Sequence, residues 1–260
     1  MHILSLPRKI VGHYKRGGFW AVASLITARI PQLPLPVKIR WLLGRGHELD
    51  FWDRYFQTKG LYWKSEFNAR FDTSRPLDYH VAKVVERFKD FKVRILDVGA
   101  GPLTSLSLGL PTKAIEIVPV DPLADEYARI AAIHGYAPPI KTVFAEAEKL
   151  SKVFDRDSFD IVHARNSIDH SYDPMEAIRQ MVAVTRPSGY IILQHVPNEA
   201  TNENWVGLHQ WNFSKEGSEF IIRSRHRRIS VNQELAGTAT LIAELSNYDK
   251  WLVVYIQKCG

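Results

Sequence analysis

The sequence of 260 residues predicts an α/β fold with a doubly wound, largely parallel sheet of seven strands. Three observations lead to this expectation. From Val93 onwards, short apolar runs alternate with segments of helical periodicity. A glycine turn follows the first apolar run. Two apolar runs close the chain with only residues 246–250 between them, and so short a link permits only an antiparallel pair.

The strands and helices of this sheet are predicted as βα units of ordinary length. Strands are expected at 93–98, 114–120, 140–144, 159–164 and 190–195, with helices at 102–109, 123–134 and 175–185. Pro102 opens the first of these helices, where its missing N–H costs nothing. The closing hairpin is expected to pair 239–245 with 251–257.

The first 91 residues are predicted to form helices outside the sheet. Residues 1–46 contain eight Lys or Arg and no acid, which leaves 26 basic and 28 acidic residues in the rest of the chain. We therefore expect a basic amphipathic arm over 1–46. Its residues 8–30 could lie on an anionic membrane, dock on a partner or pack on their own domain. An aromatic-rich helical lid is expected over 47–91, and the domain with the sheet over 92–260.

The composition excludes several classes of protein. With 45% apolar and 24% charged residues, the chain matches an ordinary globular protein and differs from disordered, collagen-like and coiled-coil chains. The single cysteine, Cys259, excludes an internal disulfide and a zinc site built from cysteines. The apolar run at 17–28 is shorter than the roughly 20 residues that span a bilayer, and no clear signal cleavage site follows it. We expect a cytoplasmic protein with, at most, peripheral membrane contact.

The glycine turn and two acids predict a ligand site at the carboxyl edge of the sheet. Asp97, Gly99 and Gly101 follow one another at the end of the first strand, and Asp121 ends the second. Glycines let the backbone approach a ligand closely, and an acid at Asp121 can accept both hydrogen bonds of a ribose diol. Pro102 removes an N–H that could have bound phosphate, so the expected ligand is a nucleoside without phosphates.

Residues 93–257 resemble class I S-adenosylmethionine-dependent methyltransferases. Besides the glycine turn, the resemblance includes residues 145–150, strand 159–164 and the turn Arg186-Pro187-Ser188-Gly189-Tyr190. It implies a Rossmann-like sheet with S-adenosylmethionine as cofactor. Asp97, Gly99 and Gly101 would lie along the methionine and ribose, and Asp121 would hold the ribose hydroxyls. The resemblance also implies that Glu146 and Ala147 meet the adenine, and that Asn166 lines the floor between cofactor and acceptor.

Methyl transfer to a hydroxyl also needs a group that removes a proton. The candidates are His170, with Asp169 beside it, then His209 and then His195, because all should lie near the carboxyl edge. Asp169, His170 and Asp173 could suggest a divalent metal site. Their spacing is not diagnostic, and Asp173 before Pro174 is well explained as a helix N-cap, so no metal ligand is predicted.

The connection at 196–213 is rich in Asn, Trp and His and is expected to form part of the acceptor site. It resembles, less specifically, methyltransferases of bacterial polysaccharide biosynthesis, which favours a hydroxyl of a sugar, glycan or glycosylated small molecule as acceptor. Candidate acceptor-binding residues are His195, Trp205, Trp211 and Arg223. Arg223, Arg225 and Arg227 would share one face of a strand and could bind a phosphate.

Three other functions remain open from the sequence. An RNA methyltransferase is suggested by the sequence pI of 9.3, although no RNA-binding motif is present and nucleic acid is not the favoured partner. An NAD(P)-dependent oxidoreductase and a noncatalytic cofactor-binding protein are the other two. The oligomeric state is not indicated by any pattern.

Overall fold

The computed structural model describes residues 36–246 and 250–260, and its strands form two sheets. The strands are β1 (Lys92–Val98), β2 (Ala114–Asp121), β3 (Val143–Phe144), β4 (Phe159–Arg165), β5 (Thr185–His195), β6 (Asn212–Glu216), β7 (Glu219–Arg223), β8 (Arg228–Ser230), β9 (Ala239–Leu245) and β10 (Leu252–Lys258). The larger sheet has the order β3-β2-β1-β4-β5-β10-β9. Its first five strands are parallel, and β10 is antiparallel to both β5 and β9. The predicted seven-stranded α/β fold with its closing hairpin is therefore confirmed.

The helices surround this sheet and extend beyond it at the N-terminal side. The α-helices are α1 (Val37–Gln57), α2 (Lys64–Ala69), α3 (Tyr79–Val85), α4 (Ala124–Ile133), α5 (Pro174–Val184), α6 (Glu199–Asn202) and α7 (Val231–Glu234). Two 3₁₀ helices span Ala147–Lys152 and Ile168–His170. None of the helices in the described ranges is long and apolar enough to cross a membrane.

The central strands are apolar along their length because helices cover both faces of the sheet. Leu96 of β1 and Val162 of β4 are fully buried, and Ile178 and Met181 of α5 pack into the same core. Asp173 begins α5 by accepting a hydrogen bond from the Glu176 N–H at 3.1 Å, as its position before a proline predicts. This packing fixes the carboxyl ends of β1, β2 and β4 relative to one another.

The helix expected at 102–109 is wrong, and the chain forms turns and irregular backbone there. Side chains from outside the segment donate hydrogen bonds to its carbonyl groups. Arg70 donates to the Leu103 carbonyl at 2.7 Å, and Arg75 donates to the Ser105 carbonyl at 3.0 Å. A helix would need such carbonyls for its own N–H groups, so these long-range bonds replace helical ones.

Residues 212–230 form a small antiparallel sheet, β6-β7-β8, that the sequence did not indicate. The expected strand with Arg223, Arg225 and Arg227 on one face is also wrong. Strand β7 ends at Arg223, and the following turn is closed by the Ser224 N–H donating to the Arg227 carbonyl at 2.8 Å. The arginines therefore do not alternate along a strand. Arg223 pairs with Glu216 at 2.7 Å.

Helix α1 lies across the carboxyl edge of the sheet and runs without a break through residue 46, where the arm was expected to end. Its closest approach is at Gly44, where a Cβ atom would lie 2.6 Å from the Gly207 carbonyl carbon. Arg45 forms an ion pair with Glu126 of α4 at 3.2 Å. Residues 1–35 of the arm expected at 1–46, including the helix and membrane contact expected at 8–30, lie outside the described residues.

Gly44→Ala should destabilise the protein although alanine favours a helix by about 1 kcal/mol over glycine. The added methyl meets backbone atoms of Gly207, which cannot move as a flexible side chain can, and overpacking of this kind costs about 1–3 kcal/mol. Denaturant unfolding of the variant measures the net loss. Ile39→Ala, at an exposed position of the same helix, is the control and should change the free energy of unfolding little. Equal stability of Gly44→Ala and the parent protein would show that α1 does not pack closely on residue 207.

Candidate active site

A cavity of about 590 Å³ lies between the carboxyl edge of the sheet and helix α1. Its volume is within the range of about 300–1,000 Å³ that is typical of small-molecule sites. The glycine turn, the ends of β1, β2 and β4, and residues of the connection 196–209 line it together with α1. The site is therefore where the sequence predicted it, at the carboxyl edge.

The glycine turn follows β1 and closes tightly on β2. Gly99 and Gly101 have φ values of +69° and +64°, a conformation that favours glycine. A Cβ atom at Gly101 would lie 2.8 Å from Cζ2 of Trp52, and one at Gly99 would lie 2.4 Å from Cβ of Ser167. Glycine is therefore required twice, once for the backbone angle and once for the close approach of neighbouring side chains.

Asp97 is buried below the turn and holds it in place. Its Oδ2 accepts a hydrogen bond from the Thr104 hydroxyl at 2.5 Å, and its Oδ1 lies 2.7 Å from Nδ1 of His163. His163 is fully buried in β4. It was not among the predicted site residues, because a histidine within an apolar strand gives no sign of its partner in a neighbouring strand.

Asp121 ends β2 and supports the turn from the other side. Its carboxylate oxygens accept hydrogen bonds from the Gly101 N–H at 3.1 Å and the Leu123 N–H at 2.8 Å. Burial raises the pKa of Asp121 to about 7, although these two bonds act in the opposite direction. Because each carboxylate oxygen has a second lone pair, Asp121 can also accept from ligand hydroxyls in the cavity that it lines.

The segment after β3 places a different acid in the cavity from the predicted one. Ala147 and Glu148 line the cavity, whereas Glu146 does not. Glu146 instead accepts from the Tyr172 hydroxyl at 3.0 Å and pairs with Lys149 at 2.7 Å. Glu148 accepts from the Tyr172 N–H at 2.8 Å, and burial raises its pKa to about 7.

Asp169, His170, His195 and His209 come together at the end of the cavity formed after β4, and we call them the His–Asp cluster. Nε2 of His170 lies 3.1 Å from Nδ1 of His209. Each of these two atoms is 3.5 Å from Oδ2 of Asp169, and Nδ1 of His195 is 3.5 Å from Oδ1. The 3₁₀ helix Ile168–His170 presents Asp169 and His170, strand β5 ends with His195, and the connection 196–209 brings His209.

The charges in the cluster shift one another's ionisation. Burial alone would raise the pKa of Asp169, but the facing histidines outweigh it and hold that pKa well below its usual range. Burial lowers the pKa of His170. For His209, burial acts downward, but the Asp169 carboxylate prevails and raises the pKa to about 8. Glu199 lines the cavity as well, and its burial raises its pKa to about 7.

His170, His209 and Asn166 line the cavity, as the sequence led us to expect. Asn166 adopts a left-handed conformation with φ of +50°, and its side-chain oxygen accepts from the Val196 N–H at 3.1 Å. His195 and Asp169 lie behind them, with 1% and 2% of their surface exposed. The cluster therefore has two histidines facing the cavity and two buried supporting groups.

The structure does not bring Trp205, Trp211 and Arg223 to the cavity. Trp211 is 4% exposed, and its indole N–H donates to the Ser171 carbonyl at 3.0 Å inside the core. The Trp205 ring lies 5.2 Å from the Arg225 guanidinium, away from the cavity wall. The aromatic residues that do line the cavity come mostly from the N-terminal segment and the final hairpin; they are Trp41, Phe51, Trp52, Tyr55, Trp63, Tyr127 and Trp251.

The hydrogen-bond acceptors in the cavity fit a nucleoside cofactor with a charged amino acid end. Asp97 and Asp121 supply carboxylates at the ends of two adjacent strands, and the two glycines of the turn between them carry no side chain. Carboxylates suit ribose hydroxyls and an ammonium group, and aromatic side chains such as Trp52 suit a flat base.

Comparisons with known proteins agree with this reading of the cavity. Residues 96–193 match the family model described as a methyltransferase domain. The chain is 28% identical over 149 residues to the hybrid PKS-NRPS synthetase lepA of Aspergillus flavus. This match covers 50% of this chain and 4% of the relative. It is 26% identical over 187 residues to the tRNA U34 carboxymethyltransferase of Hahella chejuensis, covering 68% of this chain and 57% of the relative.

The solved structure of the CurJ carbon methyltransferase aligns with 69% of this chain and 52% of its own, with a TM-score of 0.49 and 16% identity. This chain thus spans less than two thirds of each of these three proteins. The family match contains the end of β1, the glycine turn, β2 and β4, and the ends of β1 and β2 carry the cavity acids Asp97 and Asp121. Residues 96–193 are therefore similar to a methyltransferase domain, and S-adenosylmethionine is the cofactor that this similarity supports.

Proposed function

We propose that the chain transfers the methyl group of S-adenosylmethionine to a hydroxyl of a small acceptor, a sugar or a glycosylated molecule. One observation carries the proposal. His170 and His209 of the His–Asp cluster line the same cavity as the glycine turn, so a group that can assist loss of a proton stands beside the cofactor site. An amine acceptor that is already deprotonated would not need such a cluster.

Bound S-adenosylmethionine supplies a methyl group on a positively charged sulfur. Transfer to a hydroxyl would break the S–C bond and form an O–C bond, and one of the two cavity-facing histidines, His170 or His209, would accept the hydroxyl proton. The protein contributes alignment and a place for that proton loss. His170 and His209 face the cavity, while Asp169 and His195 hold them from behind. We propose that the acceptor hydroxyl lies against His170 and His209.

The side chains around the rest of the cavity support a sugar-like acceptor. Trp63 and Trp251 offer flat apolar faces, which stack well on the C–H groups of a pyranose. Arg165 lies over the Trp251 ring at 4.8 Å from its centroid, and Glu199 and Glu203 add acceptors for hydroxyl groups. These residues take the place of Trp205 and Trp211 in the acceptor site expected from the sequence.

A transfer RNA is the second candidate acceptor. The similarity to the tRNA U34 carboxymethyltransferase of Hahella chejuensis favours it, since that match covers 68% of this chain. One assay distinguishes a sugar acceptor from a tRNA acceptor. Formation of S-adenosylhomocysteine is measured with a panel of sugars and glycosylated small molecules and, in parallel, with bulk tRNA. Turnover with tRNA alone would replace the sugar proposal.

Asp121→Asn should weaken S-adenosylmethionine binding by about 1.5–3 kcal/mol, roughly 10- to 150-fold, because it removes a charged acceptor for hydroxyl groups. Titration calorimetry measures the change. Asp125→Asn makes the same charge change at an exposed position of α4 and should bind the cofactor as the parent does. Equal affinities for parent and Asp121→Asn would mean that the ribose does not contact Asp121.

The same pair of proteins tests the raised pKa of Asp121. Its pKa of about 7 means that the carboxyl group gains a proton as the pH falls from 8 to 6, and a protonated carboxyl offers fewer acceptor sites. Cofactor affinity of the parent should therefore rise from pH 6 to pH 8 more steeply than that of Asp121→Asn. Parallel pH profiles for the two proteins would assign the titration to another group.

His170→Ala and His209→Ala should each lower kcat by about 10²- to 10⁴-fold with a hydroxyl acceptor, which is the usual contribution of proton transfer. Affinity for S-adenosylmethionine should stay within about twofold of the parent, because neither residue is placed against the glycine turn. His226→Ala, in an exposed turn, is the matched control. Full activity of both cavity variants would place the reacting hydroxyl away from the cluster.

A further inference from the structure

We propose that Asp169, His170 and His209 bind a divalent transition-metal ion at the wall of the cavity. One ligand atom from each residue would take part: Oδ2 of Asp169, Nε2 of His170 and Nδ1 of His209. These atoms already face one another, and all three lie within 4.8 Å of each other.

The distances between the three atoms match those around a metal ion. The two nitrogens are 3.1 Å apart, and each is 3.5 Å from the Asp169 oxygen. Around a tetrahedral ion with bonds of about 2.0–2.1 Å, neighbouring ligand atoms are about 3.3 Å apart. An ion could therefore enter the centre of this triangle with shifts of a few tenths of an ångström in the ligands.

The Asp169 carboxylate gives independent support, because it is buried without adequate partners. The side chain is 2% exposed, and neither of its oxygens accepts a hydrogen bond. The nearest polar atoms are the imidazole nitrogens at 3.5 Å, beyond a good hydrogen bond. A buried carboxylate without hydrogen bonds is costly unless a cation faces it, either a protonated histidine or a metal ion. A metal ion on Oδ2 supplies that cation, and His195 faces the other oxygen.

Groups behind the ligands also suit a metal site. Histidines that bind metals commonly direct their second ring nitrogen to a carboxylate, which fixes the ring. Nδ1 of His170 lies 3.8 Å from Oε2 of Glu48, and the other oxygen of Glu48 accepts from the Trp52 indole N–H at 2.7 Å. Glu48 on α1 is thus the carboxylate behind His170, and it adds negative charge beside the ion.

The ligand set indicates the class of metal and its use. Two imidazoles and one carboxylate favour zinc, manganese, iron or cobalt over magnesium and calcium, which prefer oxygen ligands. Three protein ligands leave a coordination position open toward the cavity. An acceptor hydroxyl at that position would release its proton to water more readily, because the ion stabilises negative charge on the oxygen. This use rests on the proposed function, whereas the metal site itself does not.

Cobalt(II) is the probe, because its visible absorption reports coordination without any enzyme assay. Full-length protein is treated with a chelator, dialysed and titrated with CoCl₂, with calorimetry for stoichiometry. We expect the parent to bind one equivalent of cobalt(II). Asp169→Asn and His209→Ala should each bind cobalt(II) with an affinity at least 100-fold lower than the parent. His226→Ala should keep that equivalent. Glu48→Gln should weaken it by about 10- to 100-fold, as removal of a supporting carboxylate does elsewhere.

Two results would overturn the proposal. Either the parent protein binds no cobalt(II), or Asp169→Asn and His209→Ala bind cobalt(II) with the same affinity as the parent. Cofactor binding and circular dichroism check that each variant is folded. If Asp169→Asn does not fold, His209→Ala decides, because His209 lies in a connection near the surface.

The metal site and the proposed function can fail separately. Cobalt binding without methylation of any hydroxyl acceptor would keep the site and reject the function. Full methylation by chelator-treated protein that contains no metal would keep the function and overturn the catalytic use of the ion, while the cobalt titration alone decides whether the ion binds.

Discussion

The contact between Asp97 and His163 is the interaction on which the cofactor site depends. It joins β1 to β4 at the register where these two residues are direct neighbours, and both are almost completely buried. The other Asp97 oxygen holds Thr104, so the same carboxylate also fixes the chain after the glycine turn. Loss of either partner would leave a buried polar group unpaired, which usually costs about 1–3 kcal/mol.

Other buried acids lie at or shortly after the carboxyl ends of β2, β3 and β4, and they have two kinds of partner. Asp121 and Glu148 are held by backbone N–H groups, and burial raises the pKa of both. Asp169 faces imidazoles instead, and its pKa is lowered. The neighbours of each acid therefore decide whether it carries a charge near neutral pH.

Much of the fold was predictable because its signals are local. Apolar runs and turn residues indicated the strands and the closing hairpin, and the ends of β1 and β2 indicated Asp97 and Asp121 as site residues. The irregular segment after Gly101 was not predictable. Its carbonyls bind Arg70 and Arg75, which lie some 30 residues earlier in the chain, and no local pattern reports such bonds.

The sequence identified residues of the His–Asp cluster as candidates, but it did not predict how their side chains contact one another. His170 and His209 stood out as histidines near the carboxyl edge, yet their contact depends on how the connection 196–209 returns to the sheet. Glu48 gave no signal, because it lies in a helix more than a hundred residues before His170. The prediction that Trp211 binds the acceptor was wrong. A tryptophan in a polar loop suggested a binding surface, but the Trp211 ring packs in the core.

Helix α1 contacts the glycine turn through Trp52 and the connection after β5 through Gly44. These two contacts lie about two turns apart on one continuous helix. Movement of the whole helix away from the sheet would therefore uncover Gly101 and Gly207 together. A single element thus covers both sides of the cavity, and a ligand on either side would lie beneath the same helix.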